Sequence, residues 1–276
     1  MLTDFRQIVR DAANGDHAIA GFNVFGYEDV VSVVAAAEEL NVPVIVMTNK
    51  LAVESMPVES WGYIINRIAE QAKVPVCIHL DHTKDIDLIK RAIKSGYTSV
   101  MFDGSQLPFE ENIDKTRKVA ELAYSKGVIV EAEIGSVAYT DTSVKTPGIY
   151  TDPNEAEAFA EQTGLDWLAV AIGTIHRMQT KGVNIRYDLL EEIGSRVKTP
   201  LVIHGSSGLT DFDLRKISKY NVGKFNIGTT LRMAFVNALH DEIIKEPREY
   251  DRPLLFRKPM MAVQEEAKRM LLLLGA

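Results

Sequence analysis

The segment VPVCIHLDHTKD, residues 74–85, begins as an apolar run and ends with His79, Asp81 and His82 inside four residues. Its first half is short and β-branched, so it reads as a buried strand rather than a helix. A strand built for a core that finishes in two imidazoles and a carboxylate brings reactive groups to one end of a sheet. Seven other runs have the same character: AIAGFNV (18–24), PVIVMTN (43–49), TSVMFDG (98–104), VIVEAEI (128–134), WLAVAIG (167–173), PLVIHGS (200–206) and KFNIGT (224–229). As a set they are rich in Val and Ile and too short for buried helices.

Helical patterns fill the intervals. After Ser60, residues Trp61, Ile64, Ile65, Ile68 and Ala72 form one apolar face. Thr83 precedes KDIDLIKRAIKS, with Gly96 as a stop; Asp152 and Pro153 start NEAEAFAEQT, and Gly164 stops it. Thr210 with Asp213 resembles a capping box. Near-continuous apolar strands that alternate with helices indicate a parallel sheet covered by helices. Eight such units predict a (β/α)8 TIM barrel as a single domain over 1–276, with a doubly wound open sheet as the alternative. Residues 246–276 read as a C-terminal helical extension. The irregular stretch GSVAYTDTSVKTPGIYT (135–151) follows the fifth strand and is a candidate mobile lid.

The chain has 276 residues, and a single α/β barrel takes about 250. Its net charge is −7 and its pI near 5.5, which argues against nucleic acid or an anionic membrane as the main partner. A small anionic substrate is compatible, because a few local donors outweigh the global field. The one cysteine, Cys77, sits in an apolar run, so no intrachain disulfide framework exists and a reducing, cytoplasmic setting is expected. No apolar run approaches the roughly 18 residues of a membrane span.

Barrel enzymes place their chemistry at the C-terminal ends of the strands. There this chain carries Asn23, Thr48 with Asn49, Asp81 with His82, Asp103, Glu131 with Glu133, His176, His204, and Asn226 with Thr229. Half of the six histidines fall at strand ends, on strands three, six and seven. Three imidazoles converging on one barrel mouth suit zinc, which takes three protein ligands and keeps a fourth position open. The alternative is a buried polar network without metal. HGSSG (204–208) and NIGTT (226–230) are glycine-rich turns after the last two strands, each leading into a helix, where barrels often bind phosphate.

These residues, in this order, resemble the class II ketose-bisphosphate aldolases. The match runs through GFNV, HLDH, FDGSQLPFEENI, VEAEIG, YTDPNEA, TGLDWLAVAIGTIH, LVIHGSSG and NIGTTLR. The resemblance implies a barrel lyase that splits fructose- or tagatose-1,6-bisphosphate, reversibly, into dihydroxyacetone phosphate and an aldehyde such as glyceraldehyde 3-phosphate. It implies zinc or another divalent metal as cofactor, a monovalent cation as a further candidate, and a homodimer or homotetramer. His82, His176 and His204 look like the metal ligands, with Asp103 and Glu133 at a second metal site or in the inner shell. Asp81 looks like the acid/base at the C4 hydroxyl. Gly205, Ser206, Ser207, Asn226, Ile227, Gly228 and Thr229 resemble the dihydroxyacetone phosphate pocket; Asn23, Thr48 and Lys181 join the substrate-binding set.

The chain departs from the family around the substrate rather than the metal. Arg177 stands where the family has Gly after the second ligand histidine, Ser206 replaces a glycine, and Thr230 replaces an acid. The lid lacks GGxED, leaving Asp141 as the nearest acid for protonating the enediolate. Arg177 reads as either an extra anion clamp or an arginine paired elsewhere. These changes leave room for a different phosphorylated ketose or an acidic sugar, and for a non-catalytic sugar-phosphate-binding paralogue. Because Asp81 and His82 must both reach the mouth, the third strand is expected to lose regularity near residue 81, with His79 one layer deeper as a support.

Overall fold

The computed structural model describes residues 5–140 and 148–275. Each of the eight apolar runs is extended: β1 (Ile19–Asn23), β2 (Val44–Thr48), β3 (Val76–Thr83), β4 (Ser99–Phe102), β5 (Ile129–Ile134), β6 (Trp167–Val170), β7 (Leu201–Ile203) and β8 (Val222–Ile227). They pair in parallel and in chain order, and β8 pairs with β1 to close the barrel. Closure removes the open edges that a doubly wound sheet would keep. The fold is therefore the (β/α)8 barrel.

The helices are α1 (Arg6–Asn14), α2 (Tyr27–Leu40), α3 (Lys50–Ser55), α4 (Val58–Gln71), α5 (Ile86–Lys94), α6 (Phe109–Tyr124), α7 (Pro153–Thr163), α8 (Tyr187–Arg196), α9 (Asp211–Ile217), α10 (Thr229–Lys245), α11 (Arg252–Leu255) and α12 (Arg257–Leu273). Asp152 caps α7 and Thr210 with Asp213 forms the capping box of α9, as their sequences dictate. Two starts differ from expectation. Pro57, not Ser60, precedes α4, and Asp85, not Thr83, caps α5 by accepting from the Asp87 amide. Thr83 instead ends β3, and its hydroxyl accepts from the Asp85 amide. α12 buries Val263, Ala267, Met270 and Leu271 against the barrel's outer core. No helix among the described residues is long and apolar enough to cross a membrane.

Alternation along the strands sorts the core into two clusters. Side chains such as Val46, Ile78, Val100, Val130, Leu168 and Ile203 face the helices. Ile45, Met47, Cys77, Met101, Ile129, Trp167 and Val202 fill the barrel, and Phe5, Val9 and Ala12 of α1 join them from below. This parity moves two expected site residues away from the mouth. Thr48 shares the outward face with Val46, and its hydroxyl lies 2.8 Å from that of Tyr97. The side chain of Ile227 packs in the same outer layer. Thr48→Val is therefore expected to leave catalysis intact. It should cost about 1–3 kcal/mol in denaturant unfolding, since the buried Tyr97 hydroxyl loses its partner. A large loss of turnover with unchanged stability would return Thr48 to the site.

Candidate active site

The regular pleat of β3 ends where the chemistry begins. Its register against β4 shifts between Leu80 and Thr83, and His82 adopts a left-handed backbone with φ 47°. Such a conformation costs a non-glycine residue about 1–3 kcal/mol and needs surrounding structure to hold it. Its effect here is that Asp81 and His82, adjacent in sequence, both line the cavity at the mouth. His79 stays inside the barrel, fully buried, with Nδ1 2.7 Å from the Ser99 hydroxyl and its ring beside Trp167.

His176 arrives from a short strand (Ile175–His176) that pairs with Ala138–Tyr139 from the segment after β5. His204 follows β7. The turn after it is packed so tightly that a Cβ on Gly205 would lie 2.8 Å from the Ile175 carbonyl carbon, and Gly205 has φ 71°. That close approach sets His176 and His204 side by side. Nitrogens of His82, His176 and His204 then lie within 4.8 Å of one another.

Two of the three rings are oriented by carboxylates. His82 presents Nδ1 to Asp103 at 3.1 Å, and His204 presents Nε2 to Glu131 at 2.9 Å. Their other nitrogens, His82 Nε2 and His204 Nδ1, face each other at 2.7 Å, so one proton lies between them. A divalent cation can take the place of that proton. Carboxylate-braced imidazoles with converging nitrogens are the donor set zinc uses, so these residues fit a metal. Burial opposes charge on all three rings. At His82 the Asp81 and Asp103 carboxylates win and hold the pKa well above the usual value. Burial, then the neighbouring His82, keep His176 and His204 neutral.

His82, Asp103 and Glu133 form a second possible ligand group on the far side of His82. Burial disfavours the Asp103 carboxylate, but His82 and Ser105 outweigh it and hold its pKa well below the carboxylate range. Burial and then the Asp103 charge push Glu133 up to about 8. Asp81 is buried, and its two oxygens accept one amide N–H each, from Asn226 and Asn23, both at 2.9 Å.

Beside this centre, Asn23, Phe25, Gly205, Ser206, Ser207, Asn226, Gly228, Thr229, Arg177 and Arg232 line a polar recess at the N-terminus of α10. Ser206 ties the two glycine-rich turns together by donating to the Asn226 carbonyl at 2.6 Å. Ser207 Oγ, Asn23 Oδ1 and Arg232 Nε are buried here without a hydrogen-bond partner, which suits a polar ligand. Arg177 also has a left-handed backbone, φ 61°, and its guanidinium lies over the Tyr139 ring at 5.5 Å. Tyr139 in turn stacks on His176 at 4.5 Å. Towards α3 and α5, a wider cavity of about 750 Å3 opens past Leu51, Leu80, Leu88 and Val137.

Lys181 does not join the site. It is exposed, outside both cavities, and is influenced by Asp211, Arg269 and Glu266 instead. Asp141 lies outside the described residues. Tyr139, Lys224 and Arg232 of the site were not singled out from sequence. Signals existed for some of them. Lys224 and Asn226 share a strand face two residues apart. Arg232 lies one turn after Thr229, to whose hydroxyl it donates at 3.1 Å.

Residues 3–276 match the family described as fructose-bisphosphate aldolase class-II. The fructose-bisphosphate aldolase of Staphylococcus aureus (strain Mu50) is 34% identical over 274 residues, covering 97% of this chain and 95% of its own. The crystal structure of the YdjI aldolase from Escherichia coli K12 has a TM-score of 0.86 at 33% identity, covering 100% of this chain and 98% of that one. The fructose-bisphosphate aldolase of Campylobacter jejuni shares the fold at a TM-score of 0.86 and 21% identity, covering 99% and 95%. The braced imidazoles and the glycine-rich turns thus belong to a known lineage: the chain is a member of the class-II fructose-bisphosphate aldolase family.

Proposed function

We propose that the protein is a metal-dependent aldolase that cleaves a phosphorylated ketose reversibly to dihydroxyacetone phosphate and an aldehyde, with fructose- or tagatose-1,6-bisphosphate as the reference substrates. The observation that carries this reading is the convergence of His82, His176 and His204 directly beside Asp81. A divalent cation, zinc by preference, would be held by those three imidazoles and would supply Lewis acidity to the ketone and neighbouring hydroxyl oxygens.

The chain's own groups do the rest. Asp81 takes the proton of the C4 hydroxyl as the bond between C3 and C4 breaks and the C4 oxygen becomes the aldehyde carbonyl. The electron pair stays with C3, which must then be protonated. Asn23 and Asn226 each use one N–H on a separate Asp81 oxygen, so lone pairs remain for the substrate hydroxyl. Protonation of C3 is assigned to Asp141 in the segment after β5, on its place in the sequence. The recess at the α10 N-terminus offers backbone N–H groups and two arginines to a phosphate dianion. The wide cavity takes the aldehyde half.

Arg177 supports a second reading in which the chemistry is the same and the ketose differs. A left-handed arginine is costlier than the family's glycine at that position, so the guanidinium has a task. A panel of aldehydes condensed with dihydroxyacetone phosphate separates the two. Glyceraldehyde 3-phosphate as the best acceptor keeps the reference substrates, whereas an acidic or longer aldehyde replaces them.

Exhaustive chelation and His176→Ala are each expected to abolish cleavage, with zinc restoring the chelated enzyme only. Full activity after metal removal would end the metal-dependent reading. Asp81→Asn should lower kcat by about 10²–10⁴-fold while metal binding persists. A variant that still cleaves at the normal rate removes Asp81 from the proton step. Wild-type protein that binds metal yet exchanges no proton of dihydroxyacetone phosphate with solvent would be a binding paralogue instead. Arg177→Gly relieves the backbone and removes a charge-assisted contact. It is expected to raise KM for the phosphorylated ketose about 10–100-fold with little change in kcat; an unchanged KM would place the guanidinium out of ligand contact.

A further inference from the structure

We propose that Lys224 is a positioning residue whose buried ammonium locks the metal-binding imidazole His204 and the base Asp81 into one arrangement. It is the one fully buried lysine among the described residues, sited inside the barrel beneath the mouth. Its Nζ donates to Glu131 Oε2 at 2.7 Å and to Asn226 Oδ1 at 2.7 Å, and lies 5.7 Å from the centre of the Trp167 ring. A buried ammonium with these partners is a fixed charge, not a nucleophile.

Each contact fixes a choice further along. The ammonium has donors only. Asn226 must therefore turn its carbonyl oxygen towards Lys224, which leaves its amide nitrogen to donate to Asp81 Oδ1 at 2.9 Å. Asp81 accepts on both oxygens, so a flipped Asn226 would set oxygen against oxygen. On the other branch, Glu131 receives Lys224 on Oε2 and the His204 Nε2–H on Oε1. That bond settles the His204 tautomer: Nε2 carries the hydrogen, and the Nδ1 lone pair faces His82 and the metal position. The 3.2 Å approach of Asn226 Nδ2 to His204 Nε2 is then a contact between two donors, tolerated because each has an anionic acceptor elsewhere. One cation thus sets the donor polarity of both branches, His204–Glu131–Lys224 and Lys224–Asn226–Asp81.

The inference rests on the metal-dependent reading above, and its test separates the two. Lys224→Met, Glu131→Gln and the double variant are compared with wild type for thermal stability, Zn2+ affinity by chelator competition, the visible spectrum of the Co2+-loaded protein, and kcat and KM. Lys224→Met alone strands a buried carboxylate and is expected to lose stability. The double variant removes both charges, so it should recover most of that stability. It should nevertheless bind Zn2+ about 10–100-fold more weakly, shift the Co2+ spectrum, and at metal saturation lose kcat with KM nearly unchanged. A purely structural Lys224 would give a double variant that matches Glu131→Gln alone in Zn2+ affinity, Co2+ spectrum and kcat, and that result overturns the inference while leaving the metal site standing. Wild-type protein that binds neither Zn2+ nor Co2+ would overturn both.

Discussion

The turn at the end of β3 constrains everything above it. Parity along a pleated strand sends neighbouring side chains to opposite faces. With regular backbone through residue 83, either Asp81 or His82 would point into the helix layer. The left-handed conformation of His82 and the register shift against β4 break that parity over one residue. A carboxylate and an imidazole therefore stand side by side in sequence and in space. The strain is held by what surrounds it: Asp103 on one nitrogen of His82, His204 on the other, and two asparagines on Asp81.

From that turn the mouth divides electrically. Asp81, Asp103, Glu131 and Glu133 come from the β3–β5 side, whereas Arg177, the Gly205 turn, the α10 N-terminus and Arg232 come from the β6–β8 side. The three imidazoles sit on the border between the halves. A cation is favoured on the acidic side and a phosphate on the basic side, within one small volume. A local basic half of this kind lets a chain of net charge −7 present an anion site. Burden-sharing is also visible in the pKa directions: burial pushes Glu133 upward, and the Asp103 charge, which helps hold His82 protonated, adds to it, because not every carboxyl in the cluster can be charged at once.

Much of this was legible in the residues because a barrel converts sequence position into spatial position. Short apolar runs end at one face, so polar residues at their ends must meet. Where the rule failed, the cause was parity. Thr48 and Asn49 both end β2, and alternation favours Asn49, which lines the mouth, over Thr48, which meets Tyr97. Ile227 lies between Asn226 and Gly228 but points outward. Lys181 was placed by its spacing after His176, and spacing along an irregular loop fixes no direction. Lys224 escaped for a different reason. A charged residue inside an apolar run reads as an interruption until its partner, 93 positions away, is seen opposite it.

The segment after β5 joins the imidazole cluster through backbone rather than through any single reactive group. Ala138–Tyr139 pairs with Ile175–His176, and Thr140 donates its amide and hydroxyl to the His176 carbonyl. The Tyr139 ring lies against the His176 imidazole on one side and under the Arg177 guanidinium on the other. Displacing this segment would therefore disturb His176 and Arg177 together. In a lid built of glycines that coupling would be weak, since glycine offers no ring to stack. Here side chains that depart from the family pattern are in contact with each other and with His176. The start of this segment, His176 and Arg177 are for that reason one packed unit, held together by Tyr139.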